Sequence, residues 1–237
     1  MGRAFEFRKG RKLKRWGKMS VSFTRIGREI AMAAKSGGGD PDTNSRLRMA
    51  IQNAKAANMP KDRVESAIIR ATNKDASNYE EVIYEGYASH GVAILVETAT
   101  DNPTRTVAHV RSCFNRGGGA LGKSGSLEFI FDRKGIFKID PTSLDLDDLE
   151  LELIDFGLEE LINEEDETLI YTNYDDFLKM QKALEDRKIN VISAEKDRIP
   201  NSTVDVNDEL QIDIYKLIDK MEDDDDVIAV YHNMNET

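Results

Sequence analysis

A chain of 237 residues, 40% hydrophobic and 32% charged, can hold two or three domains with real cores, and it is too poor in Gly and Pro to be fibrous or disordered. Its single cysteine, Cys113, excludes an intrachain disulfide and leaves a thiolate zinc site short of ligands; no run approaches the roughly 18 apolar residues of a membrane helix. The net charge of −11 is held unevenly: residues 1–80 carry 18 Lys/Arg against 8 Asp/Glu, and residues 135–237 carry 9 against 30.

The first 19 residues hold eight cations and one carboxylate, with Phe5, Phe7, Leu13 and Trp16 interleaved. No apolar signal core follows them, so no secretory signal is expected and the location is read as cytoplasmic. A helix is predicted near 21–36, where Phe23, Ile26, Ile30, Ala33 and Ala34 share a face. Gly37 to Gly39 stop it. Leu47, Ala50, Ile51, Ala54 and Ala57 predict a second helix near 43–58. Pro60 opens a third, striped by Val64, Ala67, Ile68 and Ala71. Asn73 to Asn78 reads as a linker.

From Tyr79 the period changes to two. Strands are predicted at 82–87 and 92–97, a helix at 104–116, a glycine-rich loop from Gly117 to Gly125 and a strand from Leu127 to Phe131. Residues 135–199 then read βαββαβ, the ferredoxin-like split unit. A helix near 207–222 and a strand near 227–231 complete the middle region. The expected fold is therefore α+β with three domains. Residues 1–78 form a basic three-helix domain. Residues 79–134 plus 201–237 form one ferredoxin-like antiparallel-sheet domain, and the acidic residues 135–200 form another inserted into it. Any motion between them is expected to pivot near 73–78, 133–135 and 199–201.

The basic start carries the main chemical signal. Lys and Arg neutralise phosphates and release counterions, and interleaved aromatics can stack on bases. The candidate nucleic-acid contacts are Arg3, Arg8, Lys9, Arg11, Lys12, Lys14, Arg15 and Lys18. Arg25 and Arg28 continue them on the first helix, and Arg46, Arg48 and Lys55 on the second. Arg105, Arg111, Arg116 and Lys123 are secondary phosphate contacts. Gly117 to Ser124 matches G-x-x-x-x-G-K-[ST] letter for letter, but a phosphate loop needs a strand before it and a helix after it. Here the order is reversed, so a plain connection is expected. His90, His109 and His232 are dispersed. His109 and Cys113, four apart on one helix, can meet, but a partly buried pair is expected rather than a catalytic dyad. No catalytic residue, metal site or cofactor is expected.

Several stretches resemble the YebC/PmpR family of transcriptional regulatory proteins. They are Arg28-Glu29-Ile30, GGGDPDTNSRLRMAIQNAKAANMPKDRVESAI (37–69), YEGYASHGVAILVE (84–97), TDNPTRTVAHVR (100–111) and GGGALGKSGSLEFIFDRKG (117–135). The resemblance is dense over about residues 20–135 and implies an N-terminal helical domain followed by two α+β domains. It also implies a DNA-binding transcriptional regulator without enzymatic activity. Related proteins, among them a mitochondrial translational activator of cytochrome c oxidase, look like translation factors that act at the ribosome where proline runs slow synthesis. The start departs from the family's commoner Ser-Lys-Trp pattern, with Phe5-Glu6-Phe7-Arg8-Lys9 and a later Trp16.

The expected partner is nucleic acid, either DNA or ribosomal RNA in the ribosome, with no membrane and no small-molecule substrate. Nothing looks like a major-groove reading helix, and phosphate contacts suit folded RNA equally well. A protein-interaction scaffold with incidental basic charge is the competing class.

Overall fold

The computed structural model describes residues 19–73, 78–164 and 167–235. Three helices come first: α1 (Met19–Gly37), α2 (Ser45–Ala56) and α3 (Lys61–Thr72). They pack Ile30, Ala33 and Ala34 against Leu47, Ala50 and Ala54 and against Val64, Ala67 and Ala71. The apolar stripes read from 3.6-residue spacing are the faces that meet.

Asn44 sets the corner between α1 and α2. Its side-chain oxygen accepts from Leu47 N at 3.0 Å, capping α2. Its amide donates to the carbonyls of Ala33 at 2.7 Å and Gly38 at 2.8 Å, satisfying the end of α1. A side chain at Gly37 would meet this amide at 2.6 Å, and Gly38 turns with φ +88°, so glycine is needed at both positions.

The first sheet joins β1 (Glu80–Tyr87), β2 (Ala93–Thr100), β3 (Ala120–Leu121) and β8 (Val227–His232) in the order β3-β1-β2-β8. The hairpin strands β1 and β2 lie at its centre. Helices α4 (Pro103–Arg116) and α7 (Asp208–Glu222) cover one face, packing Val110, Phe114, Leu217 and Met221 on Ile94, Val96 and Val230. Ala93 and Leu95 face the other way, onto Leu127, Phe131 and Tyr231. Buried on both faces, the first half of β2, Ala93 to Val96, is a continuous apolar run.

The second sheet joins β4 (Phe131–Ile139), β5 (Leu158–Glu164), β6 (Glu167–Asn173) and β7 (Val191–Pro200) in the order β5-β6-β4-β7, with every neighbouring pair antiparallel. Helices α5 (Leu146–Leu153) and α6 (Phe177–Asp186) cover it. The Phe137 and Phe177 rings stack with centroids 4.7 Å apart. The α+β class is the one the sequence predicts, with a helical region followed by two antiparallel four-stranded sheets.

Two details differ from the sequence reading. Leu127 to Phe131 is not a strand of the first sheet. Glu128–Ile130 is a 3-10 turn, and Phe131 opens β4. The junction expected to pivot at 133–135 and 199–201 is a paired ribbon, with Phe131 opposite Pro200 and Arg133 opposite Arg198. A ladder of hydrogen bonds crosses it, so it stiffens the link between the sheets.

The helical region rests on the second sheet through α2. Met49 joins that sheet's core. Asn53 mimics a neighbouring strand: its oxygen accepts from Ala194 N at 2.9 Å and its amide donates to Ala194 O at 2.6 Å. The outer edge of β7 is thereby covered, as exposed strand edges need to be.

Replacing Asn44 with Ala removes a helix cap and the side-chain donor to the Gly38 carbonyl, while Ala33 O keeps Ser36 Oγ at 3.2 Å. Unfolding free energy should fall by roughly 2–4 kcal/mol in chemical denaturation. A loss below about 0.5 kcal/mol would show that the corner does not depend on this side chain.

Candidate nucleic-acid interface

Arg3, Arg8, Lys9, Arg11, Lys12, Lys14, Arg15 and Lys18 lie outside the described residues. The remaining candidates divide into cations that face the protein and cations that face out. Arg28 on α1 faces the protein. Its Nη1 donates to Ala99 O at 2.7 Å and to Asp226 Oδ1 at 2.8 Å, and its side chain is only 14% exposed. Its guanidinium also sits 5.1 Å from the centre of the Tyr79 ring. Arg25, one turn earlier, donates from Nη2 to Glu222 O at 2.9 Å. Both were expected to extend the phosphate surface; instead they anchor α1 to the first sheet.

Asp226 is the centre of this anchor. Its side chain is 2% exposed. Besides Arg28 it accepts from Arg105 Nη2 at 2.6 Å, Thr106 Oγ1 at 2.8 Å and Thr100 Oγ1 at 3.0 Å. The Thr100-Asp101-Asn102-x-x-Arg105-Thr106 motif is the cradle for this carboxylate. Asn102 caps α4 by accepting from Arg105 N at 3.1 Å, and Asp101 pairs with Arg105 at 3.0 Å. Burial pushes the Asp226 carboxyl up. The hydrogen bonds from Arg105, Thr106, Arg28 and Thr100 outweigh it and hold the group at about 2, against an ordinary 3.8.

Arg46 and Arg48 project from α2. Arg46 pairs with Glu81. Arg48 pairs with Glu185 of α6 at 3.1 Å and donates to Pro41 O at 2.9 Å. Lys55, Arg111, Arg116 and Lys123 are exposed. Beside Arg28 a groove of about 1150 Å³ opens between α1, α3 and the start of β1. Lys35, Arg46, Arg63 and Arg70 line it, with Glu81 as its carboxylate. Lys35, Arg63 and Arg70 were not singled out from the sequence. Asp62 and Glu65 mask the charge of α3 there, but Arg63, Ser66 and Arg70 do fall on one helical face away from the Val64–Ala67–Ala71 stripe.

The glycine-rich loop is already occupied by an anion of the protein itself. Glu85, 2% exposed, accepts from Gly125 N at 2.8 Å and Leu127 N at 2.5 Å. A phosphate would have to displace this carboxylate. The same bond explains the missing strand at Leu127, whose N–H is spent on Glu85. At Gly119 a side chain would lie 2.2 Å from the Tyr87 carbonyl, so two backbones approach there through glycine.

His109 and Cys113 do meet, with Sγ 3.4 Å from Nε2, and the other ring nitrogen contacts Asp224. The Cys113 thiol is 5% exposed and burial pushes its pKa up, so it stays protonated and weakly nucleophilic. Among the described residues no group of three or more His, Cys, Asp and Glu could hold a metal ion, and no helix is long and apolar enough to cross a membrane.

Because the Asp226 carboxyl is held below its unfolded value, its stabilising contribution is complete above pH 3.8 and is lost as pH falls towards 2. Asp226→Asn should therefore be less stable than the wild type at neutral pH, and the gap should narrow across that window in denaturant titrations. A gap that stays constant down to pH 2 would contradict the assignment.

Comparison with known proteins agrees with this architecture. The TACO1/YebC protein N-terminal domain matches residues 3–74, and the TACO1/YebC second and third domain matches residues 79–234. A protein of Cytophaga hutchinsonii named "Probable transcriptional regulatory protein" is 62% identical over 237 residues, all of both chains. One of the same name from Flavobacterium johnsoniae is 56% identical over 236 residues, again at full coverage of both. The crystal structure of a conserved hypothetical protein from Aquifex aeolicus superposes with a TM-score of 0.76 at 35% identity, covering 92% of this chain and 90% of that one. With both profiles matched and full-length relatives above half identity, this chain belongs to the TACO1/YebC family.

Proposed function

We propose that the protein is a cytoplasmic, non-enzymatic regulator of gene expression that acts by binding nucleic acid through its N-terminal third. The observation that carries this reading is the separation of charge. Residues 1–80 hold 18 cations against 8 carboxylates in a chain whose net charge is −11. Screening over a Debye length of about 8 Å keeps the distant acidic surface from cancelling this attraction. The domain division that goes with it is a basic helical domain (1–78), a sheet domain (79–134 with 201–237) and an acidic inserted domain (135–200).

The primary contacts in this reading are Arg3, Arg8, Lys9, Arg11, Lys12, Lys14, Arg15 and Lys18, continued by Lys55. Arg111, Arg116 and Lys123 are secondary. Arg105, exposed beside Asp226, is secondary as well, while Arg25 and Arg28 serve the fold. Duplex DNA is the target that the relatives' name suggests. Folded RNA, as in the ribosome, is the second reading, in which the protein is a translation factor that relieves stalling. It is favoured by the packing of the helices: α1 and α2 are committed to the sheets, which leaves α3 alone to enter a groove. Crosslinking in cells followed by sequencing of bound DNA and bound RNA separates the two: promoter enrichment favours transcription and ribosomal RNA favours translation.

Neutralising Lys12, Lys14 and Arg15 to Ala should weaken duplex binding uniformly across sequences. The slope of log affinity against log salt should shrink by about 2.7, three contacts at about 0.9 each. Unchanged affinity and slope would favour a protein-interaction scaffold instead.

A further inference from the structure

We propose that the groove between α1 and α3 takes a single-stranded polynucleotide segment, with bases against its apolar floor and phosphates on Arg63 and Arg70. This rests on the nucleic-acid reading above and names the form of nucleic acid that the helical region is built to hold.

Three features support it. The first is room. The groove encloses about 1150 Å³. Its α1 wall includes Gly27 and Ala31, and a side chain at Gly27 would come no nearer than 4.0 Å to Met59. Small residues on that wall keep the space open where larger ones would fill it. The second is the mixed lining. Phe23 and Met59 offer apolar surface beside the cations. A duplex keeps its bases stacked at its centre and shows such a groove only phosphate. A single strand turns its bases out, and aromatic or apolar side chains can take them whatever the sequence.

The third is charge. Arg63 and Arg70 are exposed and lie two helical turns apart, about 10.5 Å along the axis of α3. Ser66 lies between them on the same face and also lines the groove. The groove's carboxylate, Glu81, is paired with Arg46. A polyanion is therefore the complementary occupant.

The test uses the full chain and fluorescence anisotropy, with labelled decamers of uridylate and of thymidylate and a 20-base-pair duplex, each across a salt series. Arg63→Ala with Arg70→Ala should lower single-strand affinity roughly tenfold and cut its salt slope by about 1.4, while duplex affinity stays within about twofold. Arg63→Lys with Arg70→Lys should restore the slope. Gly27→Leu fills the groove without touching charge, and it removes a mid-helix glycine that disfavours the helix. It should lower single-strand affinity at least fivefold and leave the thermal midpoint equal or higher.

Weaker binding of both decamers by both variants, with duplex binding retained, is the expected result, whether RNA or DNA binds the tighter. Unchanged single-strand affinity in either variant would overturn the groove assignment and leave the nucleic-acid reading standing. So would equal loss of duplex and single-strand binding, or displacement of the decamer by an equimolar poly-Glu decamer. If the wild type bound none of the three probes, the nucleic-acid reading itself would fail.

Discussion

One buried carboxylate holds this architecture together. Asp226, in the turn between α7 and β8, gathers donors from α1, from the end of β2 and from the first turn of α4. An isolated charge in that position would be costly. Two guanidinium groups and two hydroxyls make it stable, and because Arg28 comes from the helical region, the bond also fixes how that region sits on the first sheet. Arg25 and Tyr79 reinforce the same seam. On the far side, Asn53 and Met49 fix α2 to the second sheet. The two sheets are tied to each other by the β4–β7 ribbon and by Arg198, which reaches Glu97 at 2.6 Å. The helical region is thus attached to both sheets.

The consequence for function is a division of labour among cations. Arg28 and Arg198 act as internal ties, and a buried pair whose partner is removed leaves an expensive unpaired charge, so these positions are constrained by the fold. Lys55, Arg63, Arg70, Arg111 and Lys123 face outward and are available to a polyanion. The glycine-rich loop follows the same logic with the sign reversed. Its amides form an anion-binding turn, and Glu85 is the anion.

Much of this was legible in the chain. The stripes of α1, α2 and α3 follow from helical spacing, and the βαββαβ order of the second sheet follows from alternation and turn residues. What failed was what depends on distant partners. Arg28 looks like a member of a cationic surface until Asp226 appears, 198 residues away. Leu127, Phe129 and Phe131 alternate like a strand, but Glu85, 42 residues upstream, captures the Leu127 amide. Arg63 and Arg70 went unnoticed because neighbouring Asp62 and Glu65 dilute the local charge. The stretches that carry the family resemblance turn out to serve the fold: the Thr-Asp-Asn-x-x-Arg-Thr run cradles Asp226, Asn44 locks the first corner and Asn53 covers a strand edge.

The sorting of cations into inward ties and outward contacts can be read directly by arginine-selective chemical modification with mass spectrometry, performed on the full chain with and without a bound oligonucleotide. Arg28 and Arg198 should resist modification in both states. Arg63 and Arg70 should react freely alone and become protected on binding. Ready modification of Arg28 in the free protein, or protection confined to the acidic second sheet, would contradict the account.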